Sequence, residues 1–345
     1  MNLFQKTIRR ENTGRPPVWL MRQAGRYHAH YQGFRKRYSF IDLCKIPEVA
    51  CQVTLGPVNE FGFDAGILFS DLLFPLEVMG MGLKYNEGPQ LDWHLEKKSD
   101  LSKLQSGAHL AQGMSFQAEA MRQIRAALPK DKGLLGFVGG PLTLFFYAAS
   151  GSHKGDLKSA REGMHDGRYA GFCELLLDML AENMALQARA GADTVAILDT
   201  CAGEVDSQTY RTLVVPTLRK LIDRFHTLCP GYPVTYYSKK TGPDYWQSLD
   251  GLAISAMGID WNQNLAASLK LLGERYAVQG NIDPDWLFLS PHDLESRLRE
   301  VWGEVKALPA KYRQGWIAGL GHGVLPETPE SNVHLYMKLQ KEIFG

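Results

Sequence analysis

The sequence lacks the features that would place the chain in a membrane or in an oxidising compartment. No apolar run approaches the roughly 20 residues that a membrane-spanning helix needs. The 5 cysteines are odd in number and include no Cys-x-x-Cys pair, which argues against a disulfide framework and for a reducing compartment. Residues 1–11 contain no apolar stretch typical of a signal peptide. We therefore expect a soluble, cytoplasmic protein.

The chain also lacks an excess of charge of either sign. Its 38 Lys and Arg and 37 Asp and Glu give a formal net charge of +1, so no overall field would recruit nucleic acid or an anionic membrane. We expect neither as a partner. A polyanionic ligand would need a local cluster of cations, and basic residues are concentrated in the first forty positions. The simpler interpretation of most of these side chains is a solvated basic surface.

A repeated structural unit is what the sequence does contain. The periodicity predicts a helix from Pro47 to Phe61 that stops at Gly62, where glycine accepts a left-handed conformation, and a buried strand from Ala65 to Phe69. The unit returns with a predicted helix from Tyr169 to Ala190 that stops at Gly191, followed by another apolar run. Alternation of helices and strands favours a parallel α/β architecture.

Eight apolar runs of strand length occur, the number that a closed parallel barrel needs. They are Pro17 to Met21, Ala65 to Phe69, Leu134 to Val138, Thr194 to Leu198, Pro233 to Tyr237, Ala253 to Ile259, Tyr276 to Gln279, and Trp316 to Leu320. We therefore predict a (β/α)8 TIM-type barrel that forms one domain over residues 1–345. A doubly wound sheet is the alternative, but the sequence has neither a Gly-x-Gly-x-x-Gly after its first strand nor a Walker-type loop.

Polar residues follow the predicted strands, and in a barrel the active-site cleft forms at these carboxyl ends. They are Arg22, Asp71, Gly139-Gly140-Pro141, Asp199-Thr200, Ser238, Asp260, residues 281–283 and His322. We expect them to converge on one cleft.

The segment from residue 21 to residue 27 is the first candidate for ligand binding. Arg22 and Arg26 are four apart, so they would share a face if the segment were helical. Each guanidinium can hold a carboxylate through two hydrogen bonds, and Gly25 would let the main chain approach a ligand. The alternative is a surface loop with two solvated arginines.

Asp71 and Tyr147 are candidates with local alternatives. Asp71 ends an apolar strand and could serve a metal, an arginine or an N–H-rich ligand, but it could equally be a helix cap or a structural ion pair. Tyr147 follows the turn at Gly139-Gly140-Pro141 and could offer its hydroxyl, although a tight turn with a core tyrosine explains the pattern as well.

Cys201 and His322 could suggest a thiol or zinc centre, which the spacing does not support. No His-x-Cys pair accompanies Cys201, and zinc needs clustered ligands. His322 lies between two glycines and should be more accessible than a core histidine, though a lone histidine is more often structural.

Taken together, these segments resemble one family. The sequence RPPVWLMRQAGRY at 15–27 is similar to the amino-terminal signature of the uroporphyrinogen decarboxylase family, and FGFDAGILFSD at 61–71 is similar to its second signature. The further matches are Gly139-Gly140-Pro141 with Tyr147, AVQGNIDP at 277–284, and LGHGVLP at 320–326.

The resemblance implies a distorted (β/α)8 barrel, a homodimer, and an enzyme that uses no metal or organic cofactor. Its implied reaction removes the four acetate carboxyls of uroporphyrinogen III and yields coproporphyrinogen III in haem biosynthesis. The implied substrate contacts are Arg22, Gln23, Ala24, Gly25, Arg26, Asp71, Tyr147, Thr200 and His322. Asp71, Arg22, Tyr147 and His322 are the implied catalytic set, with Asp71 stabilising a pyrrole cation. The proton donor stays open among Arg22, Tyr147, His322 and water.

The sequence departs from the family pattern at four places. His28-Ala29-His30 replaces Leu-Pro-Glu, Leu142 replaces a common Trp, Thr200 replaces Ser, and Lys239-Lys240-Thr241-Gly242 replaces Lys-Gly-x-Gly. Two other functions are conceivable for this sequence: a related methyltransferase of the cobalamin type, and a non-catalytic tetrapyrrole binder.

Overall fold

The computed structural model describes residues 1–86 and 88–345, which form two compact units. Unit 1 comprises Met1–Phe69, Gln123–Leu135 and Ser255–Gly345, and unit 2 comprises Ser70–Arg122 and Gly136–Ile254. The single domain expected over residues 1–345 stays a prediction.

The strands of the main sheet follow one another in sequence order. The strands are β1 Ala65–Ile67, β2 Lys84–Tyr85, β3 Pro89–Gln90, β4 Gly133–Gly139, β5 Thr194–Asp199, β6 Val234–Ser238, β7 Ala256–Gly258, β8 Ala277–Ile282 and β9 Trp316–Leu320. The main sheet has the order β1-β4-β5-β6-β7-β8-β9. Its pairs are parallel: β1 with β4, β7 with β8 and β8 with β9 in unit 1, and β5 with β6 in unit 2.

Burial explains why these strands are apolar along their whole length. β4, β5, β6, β8 and β9 are buried at every residue, as expected for parallel strands that are covered on both faces. The α/β fold with sequential parallel strands, expected of a TIM-type barrel, is confirmed. The short antiparallel pair β2–β3 is an addition that the apolar pattern did not predict, because it is polar and only two residues long on each side.

The expected first strand, Pro17 to Met21, was predicted wrongly. It is reduced to a single parallel bridge between Val18 and Ala318. Pro16 and Pro17 have no N–H to donate to a strand ladder. The next N–H groups donate to side chains instead, since Val18 N bonds Asp64 Oδ2 at 2.8 Å and Leu20 N bonds Gln23 Oε1 at 3.1 Å.

Helices connect and flank the strands. The α-helices are α1 Leu3–Ile8, α2 Ala29–Arg35, α3 Phe40–Lys45, α4 Pro47–Phe61, α5 Phe74–Leu76, α6 Ser115–Ala127, α7 Pro141–Ser150, α8 Lys158–Gly163, α9 Arg168–Arg189, α10 Ser207–Thr209, α11 Val215–Leu228, α12 Pro243–Trp246, α13 Leu265–Leu272, α14 Pro291–Lys306, α15 Ala310–Arg313 and α16 Glu330–Phe344. The described part of the chain also has two π-helical turns, Glu77–Met81 and Tyr210–Val214. Its five 3-10 helices are Lys98–Lys103, Ala108–Met114, Ala202–Glu204, Gln247–Leu249 and Pro284–Phe288.

Proline and glycine set the bounds of the helices that were predicted best. Helix α4 begins at Pro47, which needs no N–H in the first turn, and ends before Gly62 at φ 72°. Helix α9 ends at Arg189, one residue before its predicted end, and Gly191 follows at φ 110°. Among the described residues, no helix is both long and apolar enough to cross a membrane.

Candidate active site

The arginine loop, residues 21–27, is a series of turns rather than a helix. Arg22 and Arg26 are both exposed, and they do not share a helix face. Arg22 adopts φ 59°, a left-handed conformation that is uncommon for a residue with a side chain. Such conformations persist only where surrounding contacts hold them in place, and they are frequent in ligand-binding segments.

The buried side chain of Gln23 anchors this loop. It is 1% exposed, and its side-chain Oε1 accepts from Leu20 N while its Nε2 donates to Ala65 O at 3.1 Å. Its main-chain oxygen accepts from the Tyr27 hydroxyl at 2.8 Å. The loop is thereby tied to β1 from inside. The predicted contact of Gln23 with a substrate stays a prediction.

Close main-chain contacts hold the arginine loop against the glycine–histidine loop, residues 321–324. Val324 N donates to Met21 O at 2.8 Å. A Cβ on Gly323 would lie 2.4 Å from Arg22 Cδ, so only glycine leaves room for that side chain. Within the first loop, a Cβ on Gly25 would lie 2.9 Å from Arg22 O. Gly25 is therefore required by the loop itself.

His322 lies on the glycine–histidine loop and is partly exposed. Its ring stacks on Trp261, with 6.1 Å between ring centroids and 29° between planes. A Cβ on Gly321 would lie 2.3 Å from Trp261 N, so this glycine allows the approach of the two segments. Unit 1 thus brings Arg22 and His322 together on two loops that touch.

Asp71 is the first of the predicted site residues that belong to unit 2. It is partly buried, and its Oδ1 accepts from Leu73 N at 2.8 Å. This is the local turn contact that short polar side chains often make. It is not the helix cap considered for Asp71, because the N-cap of α5 is Leu73 and that helix end receives no side-chain hydrogen bond. The catalytic role of Asp71 stays a prediction.

A chain of buried amides supports the residue before Asp71. Gln117 Nε2 donates to Ser70 Oγ at 2.9 Å, and Asn183 Nδ2 donates to Gln117 Oε1 at 2.8 Å. Gln187 Nε2 donates to Asn183 Oδ1 and to Phe137 O, and Gln187 Oε1 accepts from Phe137 N. The sequence contains a clue to this chain, because Asn183 and Gln187 are polar, four residues apart and embedded in the apolar helix α9.

The glycine pair at 139–140 packs against other strand ends. A Cβ on Gly139 would lie 3.0 Å from Leu72 O, and a Cβ on Gly140 would lie 2.6 Å from Asp199 Cγ. These two glycines therefore let the segments after β1, β4 and β5 lie side by side.

Asp199 joins the end of β5 to the first turn of α7. It is fully buried, and its Oδ1 accepts from Thr143 N at 3.1 Å and Thr143 Oγ1 at 2.6 Å. Tyr236 OH donates to its Oδ2 at 3.1 Å. Burial raises the pKa of Asp199 to about 6, although the bonds from Thr143 and Tyr236 favour the ionised form. Asp199 therefore fixes Thr200 relative to the helix that carries Tyr147.

Thr200 and Cys201 follow in the same turn. Thr200 is partly buried, and Cys201 N donates to Thr143 Oγ1 at 3.0 Å. The Cys201 side chain is fully buried. Burial and the nearby Asp199 carboxylate raise the pKa of its thiol, so the thiolate is disfavoured there. Cys201 is a packing residue of this turn.

Tyr147 projects from a helix that is buried along nearly its whole length. The residue is 9% exposed, and its hydroxyl shares a hydrogen bond with Nδ1 of His153. The two rings are 5.5 Å apart between centroids and tilted by 41°. Sequence reasoning missed His153, because its role depends on the chain folding back after α7.

His28 and His30 are an aromatic cluster beside helix α4. Their rings stack with 5.6 Å between centroids. His28 is 1% exposed, and its Nε2 lies 3.7 Å from Glu60 Oε2, which is beyond hydrogen-bond distance. Burial is the main cause that lowers the pKa of each imidazole. Gly56 makes room for His30, because a Cβ there would lie 2.2 Å from its Nδ1.

Two other departures from the family pattern have clear structural settings. Lys240 stands where the pattern has glycine and adopts φ 57°. Its Nζ lies 2.9 Å from Glu204 Oε1, and Arg161 lies 3.0 Å from the other oxygen of that carboxylate. Leu142, which stands where the pattern has Trp, is fully buried in the first turn of α7.

The predicted site residues divide between the two units. Unit 1 contains Arg22, Gln23, Ala24, Gly25, Arg26 and His322, and unit 2 contains Asp71, Tyr147 and Thr200. In the part of the chain that the structure describes, no three His, Cys, Asp or Glu side chains are grouped as metal ligands would be.

Sequential parallel strands with polar residues after their carboxyl ends define an α/β protein of the TIM-barrel class. A solved methyltransferase from Methanosarcina mazei has a similar fold, with a TM-score of 0.77, 16% sequence identity, and coverage of 98% of this chain and 97% of that one. At this identity the likeness concerns the fold alone.

The chain belongs to the uroporphyrinogen decarboxylase (URO-D) family, whose model matches residues 1–343. It is 36% identical over 326 residues to a uroporphyrinogen decarboxylase of Pelobacter propionicus, covering 94% of this chain and 93% of the relative. It is 33% identical over 349 residues to a uroporphyrinogen decarboxylase of Legionella pneumophila strain Philadelphia 1, covering 99% and 97%. The family expected from the sequence motifs is confirmed.

Proposed function

We propose that this chain decarboxylates the four acetate side chains of uroporphyrinogen III to give coproporphyrinogen III, without a metal or an organic cofactor. The observation that carries the proposal is the arginine loop. Gln23 anchors this loop, Arg22 is in a left-handed conformation, and both Arg22 and Arg26 are exposed. Because the protein has a net charge of only +1, a substrate with eight carboxylates needs a local group of cations such as this one.

The chemistry requires an electron sink, and the pyrrole ring itself supplies one. A proton adds to a ring carbon and makes a cation next to the acetate arm. The bond to the carboxylate then breaks, its electron pair neutralises the cation through a new exocyclic double bond, and CO2 leaves. A second proton adds to the exocyclic carbon, the ring carbon loses its proton, and a methyl group remains.

The family residues take separate roles in this proposal. Arg22 and Arg26 bind carboxylates, and Asp71 accepts from pyrrole N–H groups and stabilises the cation. Tyr147, Thr200 and His322 bind polar groups of the substrate, together with the main chain at Gln23, Ala24 and Gly25. Arg22, Tyr147, His322 and water are the candidate proton donors, and a guanidinium is a very weak acid among them. A homodimer in the cytoplasm is part of the same proposal.

Anaerobic incubation with uroporphyrinogen III tests the proposal. We expect CO2 and coproporphyrinogen III to appear with the purified chain. Arg22→Ala and Arg26→Ala should each weaken substrate binding about ten- to a hundredfold, the usual effect of losing a charge-assisted hydrogen bond. Lys338→Ala, which removes an exposed lysine of α16, serves as a control. No conversion by the wild type would refute the proposal, and binding without conversion would favour a tetrapyrrole binder.

A further inference from the structure

The chain reverses direction directly after helix α7. Gly151 adopts φ 68° at the end of the helix, a conformation that suits glycine. The reversal brings His153 back over the last turns of α7, where its Nδ1 meets the Tyr147 hydroxyl. Tyr147 and His153 are only six residues apart and lie in the same unit, so this contact is local.

Hydrogen bonds between side chains and nearby main-chain N–H groups define the loop around His153. Ser152 Oγ accepts from Lys154 N at 3.0 Å, and Asp156 Oδ1 accepts from Lys158 N at 2.9 Å. Ser150 Oγ accepts from Ala160 N at 3.2 Å. These bonds define the course of the loop that places His153 beside Tyr147.

The tautomer of His153 determines whether the Tyr147 hydroxyl donates to Nδ1 or accepts from it. A tyrosine hydroxyl has one hydrogen to give and can also accept. If His153 Nδ1–H donates to the tyrosine oxygen, the hydroxyl hydrogen points elsewhere. An ionised carboxylate only accepts hydrogen bonds, so a tyrosine that binds one must donate. The imidazole tautomer with its hydrogen on Nδ1 is therefore the one that prepares Tyr147 for a carboxylate.

We propose that His153 is a positioning residue, which holds the Tyr147 hydroxyl as a hydrogen-bond donor to a carboxylate of the substrate. The inference rests on the proposed function and extends it to a side chain outside the family motifs. His153 acts through Tyr147 and does not itself touch the substrate.

Steady-state kinetics with uroporphyrinogen III under anaerobic conditions tests the inference. His153→Ala should lower kcat/KM about tenfold, the scale of one hydrogen bond. His153→Asn places an amide nitrogen near the Nδ1 position, so it should restore kcat/KM to within about threefold of the wild type. His153→Gln reaches one bond farther, toward the Nε2 position, and should resemble alanine.

A second arm repeats each His153 variant in a Tyr147→Phe background. If His153 acts through the hydroxyl, its substitution should there change kcat/KM by less than about twofold, since the coupling energy appears only when both partners are present. A purely structural residue would cause the same loss in both backgrounds. Melting temperatures of all variants are measured alongside.

Several outcomes would overturn the inference. Equal kcat/KM for the asparagine and glutamine variants is one of them, and it remains decisive if the alanine variant does not fold. An undiminished loss in the Tyr147→Phe background is another. Wild-type turnover with unaffected His153 variants refutes this inference alone, whereas absent wild-type turnover refutes the proposed function and this inference with it.

Discussion

Asp71 combines a local contact with a proposed catalytic charge, and one pair of substitutions separates the two. Asp71→Asn keeps an oxygen that can accept from Leu73 N, as Oδ1 does now, so the turn should survive. The variant loses the negative charge, which should lower kcat roughly 10²- to 10³-fold. Activity and melting temperature measured on one preparation check this.

The contrasting outcome for Asp71 is equally specific. If the negative charge serves only a structural ion pair, Asp71→Asn should lower the melting temperature while kcat per folded molecule stays near that of the wild type. Asp71→Glu is the matched control, because it keeps the charge and moves it by one methylene. Its activity should fall while substrate binding persists.

His28 makes the stability of the fold sensitive to acid. Its pKa is lowered from 6.5 by burial, so the unfolded chain binds the proton more tightly than the folded one. The free energy of unfolding is therefore not reduced by protonation of His28 above pH 6.5, and it decreases as the pH falls below 6.5. His28→Leu should raise the melting temperature at pH 5 relative to the wild type, and by more than at pH 8.

The comparison for His28 is a thermal melt at both pH values with His292→Leu as a reference, since His292 is an exposed histidine. Glu60, Glu330 and His30 are the other groups that act on His28, and all three are unchanged in the variant. An equal gain at pH 5 and pH 8 would mean that leucine improves packing alone.

At the scale of elements, the loop after β6 depends on an unusual lysine. Lys240 at φ 57° should cost about 1–2 kcal/mol relative to glycine. Lys240→Gly relieves this but loses an exposed ion pair worth up to about 1 kcal/mol and makes the unfolded chain more flexible. We expect the free energy of unfolding to change by less than about 1 kcal/mol.

Lys240→Val is the matched variant for this loop, because a β-branched side chain tolerates positive φ poorly. It should destabilise the protein by about 1–2 kcal/mol relative to Lys240→Gly in chemical denaturation. Equal stability of the two variants would show that the main chain rearranges and that φ at this position is not fixed.

The helices and strands that were predicted from the sequence are those with local determinants. Helix α4 has Pro47 at its first position and Gly62 after its last, and β9 lies at its predicted bounds, Trp316–Leu320. The prediction of the first strand was wrong because hydrophobicity does not show which main-chain N–H groups pair with a neighbouring strand. Val18 is apolar, but its N–H bonds Asp64, which is 46 residues away along the chain.

The same limit applies to the candidate site. Motifs identified the arginine loop, Asp71 and His322, because each motif is contiguous. Asp199 was noticed as a strand end, but its bonds to Thr143 and Tyr236 depend on segments that meet only in the fold. His153 was missed because its contact with Tyr147 depends on the reversal of the chain at Gly151. Pairings between distant segments need coordinates, whereas caps and apolar runs do not.

At the scale of the whole molecule, a single family model spans residues 1–343, and the proposed chemistry needs nothing besides the chain and its substrate. We predict that full dialysis against a strong chelator leaves the rate of uroporphyrinogen decarboxylation unchanged, because the pyrrole serves as the electron sink. The same preparation without chelator is the control. Loss of activity that zinc restores would instead favour methyltransferase-like chemistry.

The amide chain from Phe137 to Ser70 has a direction as well as a path. Phe137 offers both an N–H and a carbonyl to Gln187, so that side chain cannot be turned around. The side-chain amides of Asn183 and Gln117 must then be oriented in the same way, with the oxygen of each accepting from the amide before it in the row. The last amide in the row donates to Ser70 Oγ, which leaves the serine hydrogen to point outward from the row. The N–H and carbonyl of one residue in β4 thus decide, through three amides, where the hydroxyl proton of the residue before Asp71 points.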